Sequence, residues 1–183
     1  GFGKVLFNRG NTDQAVVAYQ KALAIDGEDV ETHRQLGDVH LRARRYVKAQ
    51  KAYQTALVID PEHARTHYNL GVAYAGWRSY KSSVMALKRA TKLDDRYALA
   101  FYTMGDVQCL KLGECEESVP AMLRAINLQP RNDLFHTGLG RVYLRLNRYE
   151  EAVDAFRRAV ECDSSVAVAY NGLGQALGGL RRY

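Results

Sequence analysis

The stretch His33–Pro61, HRQLGDVHLRARRYVKAQKAYQTALVIDP, contains the pattern that decides the fold. Its apolar residues recur at helical spacing, and the pair Arg44–Arg45 divides it into two amphipathic helices. It ends at a proline, which cannot continue a helix. Gly37 lies inside the first helix, where a glycine costs about 1 kcal/mol relative to alanine. A glycine in such a position needs a structural reason.

This glycine returns along the chain at a nearly constant interval. The series is Gly3, Gly37, Gly71, Gly105, Gly140 and Gly174, with spacings of 34, 34, 34, 35 and 34 residues. A fixed period of this length is the signature of helical repeats. The register predicts eleven helices near residues 1–8, 12–26, 30–43, 46–59, 64–77, 80–93, 98–111, 115–128, 133–146, 149–162 and 167–180. We therefore predict an all-α chain.

The domain organisation follows from the same period. A single array is predicted over residues 1–183, with a partial repeat at 1–29, repeats at 30–63, 64–97, 98–132 and 133–166, and a partial repeat at 167–183. The chain lacks an initiator methionine and stops within a repeat, so we expect a fragment of a longer protein.

The glycine register also separates core positions from surface positions. Each second helix carries a bulky residue between two small ones, and the bulky residues are Tyr19, Tyr53, Leu87, Met122 and Phe156. Isoleucine or leucine extends the apolar stripe at Ile25, Ile59, Leu93 and Leu128. Glycine on one helix leaves room for the close approach of the next, and the bulky side chains fill the space between hairpins.

The composition is that of an ordinary globular protein, with 47% apolar and 25% charged residues. No stretch approaches the roughly 18 apolar residues that span a bilayer, and no signal-peptide pattern opens the chain. We expect a soluble protein without a transmembrane segment. Cys109, Cys115 and Cys162 are odd in number and form no CxxC pair. They are predicted to be buried free thiols, which favours a reducing compartment such as the cytoplasm.

The sequence offers no catalytic chemistry. It has no glycine-rich phosphate loop and no serine or cysteine in a nucleophile motif with a histidine base. His33, His67 and His136 share one repeat position, four residues before the glycine, which indicates a structural role rather than metal binding. We predict a chain that is not an enzyme and that carries no cofactor and no metal.

The recurring residues carry a family resemblance. The matching residues are the Leu-Gly pairs at 36–37, 70–71, 139–140 and 173–174, the tyrosines at 74 and 143, the paired small-residue sites and the closing prolines. Together they resemble the pattern of the tetratricopeptide repeat family. The resemblance covers nearly all of the chain. It implies a right-handed superhelical solenoid of antiparallel helix pairs, in which the first helix of each pair lines a concave groove. It also implies a protein-binding scaffold.

The same resemblance places side chains in the groove. The predicted groove residues are Arg34, Asp38, Arg65, Tyr68, Asn69, Val72, Leu99, Tyr102, Asp106, Leu134, Arg141, Arg145, Asn171 and Gln175. Apolar patches beside hydrogen-bonding groups suit an extended peptide or a partner helix. Alternatively, these are merely positions of the helices that packing constrains less. The groove could then be filled by another part of the same protein. The carboxylate-binding residue set of some family members is disfavoured, because Asp38 would repel a carboxylate.

The basic residues are concentrated in the N-terminal half. Residues 1–92 hold 15 Lys and Arg against 8 Asp and Glu, a net +7, whereas residues 93–183 hold 11 against 12, a net −1. A basic docking patch is predicted at Arg42, Arg44, Arg45, Lys48 and Lys51. It would suit an acidic protein, an anionic lipid or, least favoured, nucleic acid, because no aromatic residues are interleaved to stack bases. A solvated face without a partner is the alternative.

Three functions are compatible with these features. The leading hypothesis is a non-catalytic scaffold that binds a peptide segment or partner helix and assists assembly of a larger complex. The second is the substrate-recognition or regulatory arm of a larger multidomain enzyme. The third is a homo-oligomerisation module, because an apolar flank of Val168–Leu180 is expected to lack a covering helix.

Overall fold

The computed structural model describes residues 2–181; Gly1, Arg182 and Tyr183 lie outside the described residues. The described residues form eleven α-helices and no strand. The helices are α1 Phe2–Asn8, α2 Thr12–Ile25, α3 Val30–Arg42, α4 Tyr46–Ile59, α5 Ala64–Gly76, α6 Tyr80–Leu93, α7 Ala98–Val107, α8 Cys115–Leu128, α9 Asp133–Arg145, α10 Tyr149–Cys162 and α11 Ala167–Leu180. Every predicted helix end agrees to within one residue except the end of α7.

The chain forms two compact units, one that ends at Asp94 and one that begins at Asp95. Helices α1 to α6 belong to the first unit, and helices α7 to α11 belong to the second. Within each unit, every helix packs against the next helix in sequence, and the tight turns make successive helices antiparallel. The predicted all-α fold of antiparallel helix pairs is confirmed.

The recurring glycines lie where the first helix of a hairpin meets the bulky residue of the second. A Cβ on Gly37 would lie 2.5 Å from the Tyr53 ring, and one on Gly140 would lie 2.8 Å from the Phe156 ring. Both rings are fully buried, so a methyl group could enter only by displacing them. The same contact joins Gly3 to Tyr19, Gly71 to Leu87 and Gly105 to Met122. The predicted packing role is confirmed at these five glycines, but not at Gly174, where an added Cβ would meet no atom within 4 Å.

The end of α7 differs from the prediction, because the chain continues from there as a π-helical segment, Gln108–Leu112. This hairpin belongs to the one 35-residue repeat. In the four other hairpins a turn N–H donates to the carbonyl five residues earlier, as from Arg45 to His40 at 2.8 Å. Here the N–H of Glu114 donates to the carbonyl six residues earlier, at 2.9 Å. The extra residue therefore widens the last helical turn.

The expectation that all three cysteines are free thiols is wrong for two of them. Cys109 and Cys115 form a disulfide, and only Cys162 is free. The widened turn brings the two Cα atoms to 3.9 Å, a proximity that the spacing in sequence did not reveal. Both cysteines remain buried in the apolar core of the second unit. The argument from unpaired cysteines for a reducing compartment therefore loses its basis.

Reduction of this disulfide is expected to lower the free energy of unfolding by about 2 kcal/mol, because opening a short covalent loop increases the entropy of the unfolded chain. Denaturant titrations with and without a thiol reductant would measure the loss. The Cys109→Ala/Cys115→Ala variant should already show it, whereas Cys162→Ala should respond to the reductant like the parent. Alkylation of all three thiols in native protein without reductant would contradict the pairing.

Candidate binding surfaces

The first helices of the first unit line a polar cavity of about 320 Å³. Its wall includes the predicted groove residues Arg34, Asp38, Arg65 and Asn69, together with Lys4, Asn8 and His63. The predicted Tyr68 and Val72 are half-buried and lie outside this wall. Lys4 and Asn8 follow Gly3 by one and five residues, offsets that the resemblance assigns to the groove, so the same register could have found them.

A hydrogen-bonded network joins three side chains across neighbouring hairpins. The Tyr53 hydroxyl donates to Oδ1 of Asp38 at 2.6 Å, and Nδ2 of Asn69 donates to the same oxygen at 2.9 Å. Burial raises the pKa of Tyr53, and the negative charge of Asp38 raises it further. The phenol therefore stays protonated and serves as a donor. The network holds Asp38 and Asn69 in one orientation in the groove.

Arg34 lies between two carboxylates at the edge of this cavity. Its Nη2 donates to Oδ2 of Asp60, and its Nη1 lies 3.8 Å from a carboxylate oxygen of Glu31. The hydrogen bond from Arg34 lowers the pKa of Asp60. Because these two carboxylates neutralise part of the guanidinium charge, Arg34 should attract an anionic ligand less strongly.

His63 directly precedes α5 as its N-cap residue, and its ring contacts both the helix end and the cavity. Its Nδ1 accepts a hydrogen bond from the backbone N–H of Thr66 at 3.2 Å, as a helix N-cap does. Asp29 and Asn132 cap their helices from the same repeat position, eight residues before the glycine. Burial lowers the pKa of His63, and Arg34 adds to this effect. The neutral ring is therefore the form that caps α5.

The stability of the first unit is expected to fall as the pH decreases below about 6.5, the pKa of histidine in an unfolded chain. Burial lowers the pKa of both His40 and His63 in the fold, so the unfolded state binds more protons in this range. This contribution is fully present above pH 6.5 and is lost as the pH falls towards the folded-state pKa values. Protonation of His63 should also remove a cap worth about 1 kcal/mol.

Denaturant titrations at pH 7.5 and pH 5 would measure this loss. The double variant His40→Tyr/His63→Asn places at these positions the residues that Tyr74 and Asn132 supply in other repeats. It should reduce the difference between the two pH values while remaining folded. An unchanged difference in this variant would show that other groups cause the acid response.

The second unit brings together three of its predicted groove residues. Nη2 of Arg141 donates to Oδ1 of Asp106 at 3.4 Å, and both side chains remain partly exposed. The Tyr102 ring stacks on Phe135 with centroids 5.2 Å apart and also lies against the backbone of Gly138. Burial, together with the charge of Asp106, raises the pKa of Tyr102 to about 12. The result is a rigid aromatic beside a paired cation and anion.

The remaining predicted groove residues of the second unit do not join this cluster. They are Leu99, Leu134, Arg145, Asn171 and Gln175, and each is exposed on α7, α9 or α11. Exposure leaves them accessible to a ligand.

The five residues of the predicted basic patch are all exposed: Arg42, Arg44, Arg45, Lys48 and Lys51. Two of them are held by the preceding hairpin. Nη2 of Arg45 lies 2.7 Å from Oδ1 of Asp13, and the Arg42 guanidinium lies 4.9 Å above the Phe7 ring. The patch therefore combines cations that are fixed in position with others that extend into solvent.

Sequence reasoning missed a second, apolar cavity of about 1080 Å³ beside α1. Phe2, Leu6, Val17 and Ile25 contribute to its wall. Ile25 and Ile59, both predicted to extend the core stripe, are 90% and 40% exposed, so that assignment is wrong for both. The described part of α1 spans 7 residues where α3 spans 13. The cavity lies between α1, α2 and the start of α3.

Antiparallel helix hairpins with one glycine contact repeated about every 34 residues define a helical-repeat protein, a class that binds partners on extended surfaces. The chain belongs to the tetratricopeptide repeat family. Family models described as tetratricopeptide or TPR repeats match residues 3–43 and 45–76, residues 64–97 and residues 110–167. Proteins with this fold generally mediate protein–protein interactions.

Solved structures show the same fold. The chain is 28% identical to MamA, covers 97% of the MamA chain with 91% of its own, and superposes with a TM-score of 0.85. For YrrB the identity is 20%, the coverage 93% of this chain and 87% of that one, and the TM-score 0.80. For PilF of Pseudomonas aeruginosa the identity is 20%, the coverage is 99% of this chain and 86% of that one, and the TM-score is 0.78. A comparison with curated protein sequences gives no match.

Residues 2–181 contain neither a membrane-spanning helix nor a candidate metal cluster. No helix in this range is both long enough and apolar enough to cross a membrane. No group of three or more His, Cys, Asp or Glu side chains in the same range could hold a metal ion.

Proposed function

We propose that the chain is a non-catalytic scaffold, a single array over residues 1–183 that binds a peptide segment or partner helix in its groove and assists assembly of a larger complex. The polar cavity of the first unit carries this proposal. Asp38, Asn69 and Arg34 are fixed there by hydrogen bonds before any ligand arrives. Fixed polar groups lower the entropy that is lost on binding.

The second unit supports the same function with different chemistry. Tyr102 supplies a rigid aromatic surface, and the exposed Leu99 and Leu134 supply apolar contact. Among the structural neighbours, YrrB is described as a TPR protein with an unusual peptide-binding site. A peptide segment that presents both polar and apolar side chains would use both kinds of surface.

A photo-crosslinking amino acid placed on the groove side would test this function. Positions 65 and 145 are suitable because Arg65 and Arg145 are exposed on first helices, so substitution should leave the fold intact. In extract from the native source we expect covalent adducts with a small set of proteins from both positions.

Matched controls lie on second helices of the same two units. Gln20 on α2 and Arg157 on α10 are also exposed, and the crosslinker there should give few adducts. Equal labelling from all four positions, or none from positions 65 and 145, would contradict groove binding.

The basic patch supports a second interaction, because its five cations are exposed in the half of the chain that carries a net +7. We propose that an acidic partner docks there, independently of the groove. Exchanging Arg44 and Lys48 for glutamate should abolish that docking and leave groove crosslinking unchanged. Docking that survived both charge reversals would remove the patch from consideration.

A further inference from the structure

Trp77 is the single tryptophan of the chain, and it is 60% exposed at the end of α5. Other repeats place Arg9, Ala43, Lys111 and Leu146 six residues after their glycine; Arg9 and Lys111 are exposed, whereas Ala43 and Leu146 are half-buried. Packing of the hairpin therefore does not require an aromatic ring at this position. A lone exposed apolar residue is common on protein surfaces, so its meaning depends on its neighbours.

Three neighbouring turns of the first unit form one continuous edge. We call residues 8–13, 41–48 and 75–81 the turn edge. The Arg45–Asp13 ion pair, at 2.7 Å, joins the first turn to the second. The backbone of Gly76 lies directly on the Tyr46 ring, which joins the second turn to the third. Trp77 thus lies on the same edge as the basic patch.

The turn edge is strongly cationic. Its exposed cations are Arg9, Arg42, Arg44, Arg45, Lys48, Arg78 and Lys81. Asp13 is its one acidic residue, so seven positive charges against one negative charge give a net +6. Val47, 52% exposed, adds an aliphatic side chain beside these cations. The edge therefore presents one large aromatic and one aliphatic group among cations.

Two of these cations occupy backbone positions that stability alone would give to another residue. Arg44 and Arg78 have left-handed φ values of 56° and 61°, whereas the corresponding turns elsewhere use Gly10, Gly113 and Asn147. A left-handed conformation is unfavourable for arginine and easily adopted by glycine and asparagine. Residues that oppose local stability are characteristic of functional positions.

We propose that the turn edge docks the first unit onto an anionic lipid bilayer, with Trp77 inserted at the headgroup level. Tryptophan favours this interface because its ring is apolar and its N–H is polar. Clustered Lys and Arg residues bind the negative surface of such a bilayer. The inference rests on the proposed docking role of the basic patch and specifies its partner; groove binding is separate from it.

Nucleic acid and acidic proteins fit the edge less well. Binding to single strands uses several stacking aromatics, whereas Trp77 is the only exposed aromatic of the edge and Tyr46 and Tyr80 are half-buried. An acidic protein would engage the cations, but it would also need separate apolar contacts for the exposed Trp77 and Val47. A bilayer interface accommodates both kinds of group at once.

Fluorescence of Trp77 provides a direct test, because all tryptophan emission comes from this edge. The protein would be titrated with vesicles of phosphatidylcholine containing about a third phosphatidylglycerol, at about 0.1 M salt. We expect a blue shift of the emission maximum and quenching by lipids with brominated acyl chains. Pure phosphatidylcholine vesicles should cause neither change.

The variant Arg44→Gly/Arg78→Gly separates binding from stability. Each lost cation should weaken vesicle binding about fivefold, so the pair should weaken it about 25-fold. The same pair should raise the unfolding midpoint by about 2–4 °C per substitution, because the left-handed strain is relieved. The control Lys88→Ala/Lys92→Ala removes two exposed cations from the far half of α6 and should change vesicle binding less than twofold.

Trp77→Ala, followed by vesicle co-sedimentation, should also weaken binding while leaving the fold intact. Poly-glutamate and duplex DNA serve as soluble polyanions. Equal affinity for them without quenching by brominated lipid would overturn the bilayer proposal and leave the acidic-partner proposal standing. No binding to vesicles or to either polyanion would overturn both, and groove crosslinking would remain the test of the scaffold function.

Discussion

Replacement of Phe156 by alanine is expected to lower the free energy of unfolding of the second unit by about 3–5 kcal/mol. The ring is fully buried against the backbones of Gly140 and Gly172. Most of the other buried residues around it are alanines: Ala152, Ala159, Ala169 and Ala176. Such short side chains cannot move into the space that the ring would leave. The cavity should therefore persist, which places the cost at the upper end of this range.

Denaturant titration of the variant would measure this loss. Val168→Ala, on the 57% exposed Val168 of α11, is a suitable control and should change the free energy by less than about 0.5 kcal/mol. A loss below about 1 kcal/mol for Phe156→Ala would contradict the packing described for this hairpin.

A double-mutant cycle would connect the ring to the glycines that it contacts. A Cβ on Gly172 would lie 2.3 Å from Cζ of Phe156, so Gly172→Ala alone should cost about 1–3 kcal/mol by overpacking. In the Phe156→Ala background the same methyl group enters a cavity and improves helix propensity, so it should be neutral or stabilising by up to about 1 kcal/mol. Additive effects would show that the ring and the glycine do not constrain each other.

The fold could be predicted from the sequence because its period and its steric requirements are local. Helices 46–59 and 149–162 match the predicted bounds, since the pattern of small and bulky residues repeats at every hairpin. The contact between Gly37 and Tyr53 follows from the same pattern. A glycine in mid-helix that recurs with a bulky residue 16 positions later already indicates close packing.

The end of α7 and the Cys109–Cys115 disulfide that follows it could not be predicted in this way. The 35-residue interval reveals one extra residue, but a longer loop and a wider helical turn both accommodate it. The backbone hydrogen bond from Glu114 to Gln108 selects the wider turn, and no side-chain pattern specifies it. The closeness of Cys109 and Cys115 depends on that turn, so the disulfide was missed as well.

The groove was predicted as a set of positions, without the bonds between them. The register identified Asp38 and Asn69 as candidates, but they are 31 residues apart and meet only through the packing of neighbouring hairpins. The buried Tyr53 hydroxyl is the third member of the network. It belongs to a core position, where a polar end is not visible to a pattern of apolar residues.

Replacement of Asp38 by alanine is expected to lower the free energy of unfolding of the first unit by about 2–3 kcal/mol. The Tyr53 hydroxyl, on a side chain that is otherwise fully buried, would lose its acceptor. A hydrogen bond to a charged group contributes about 1.5–3 kcal/mol, and a buried donor left without a partner costs a similar amount. Asn69 would lose the same acceptor, and its amide would no longer be held in the groove.

Asp106→Ala is the matched control, since Asp38 and Asp106 each follow a repeat glycine by one residue. Asp106 pairs with a partly exposed arginine rather than with a buried hydroxyl. The loss there should stay below about 1 kcal/mol, as is usual for ion pairs that solvent reaches. Similar losses at the two positions would contradict a special role for the Tyr53 network.

A cycle with Tyr53→Phe would identify the cause of the loss at Asp38. Phenylalanine keeps the ring against Gly37 but removes the hydroxyl that needs an acceptor. In that background Asp38→Ala should cost less than about 1 kcal/mol, because only the bond to Asn69 is broken. If the loss persisted at full size without the hydroxyl, the stabilising partner of Asp38 would have to lie elsewhere in the groove. If it disappears, Asp38 is a residue that positions the groove wall, and Asn69 is the network member expected to contact a bound segment.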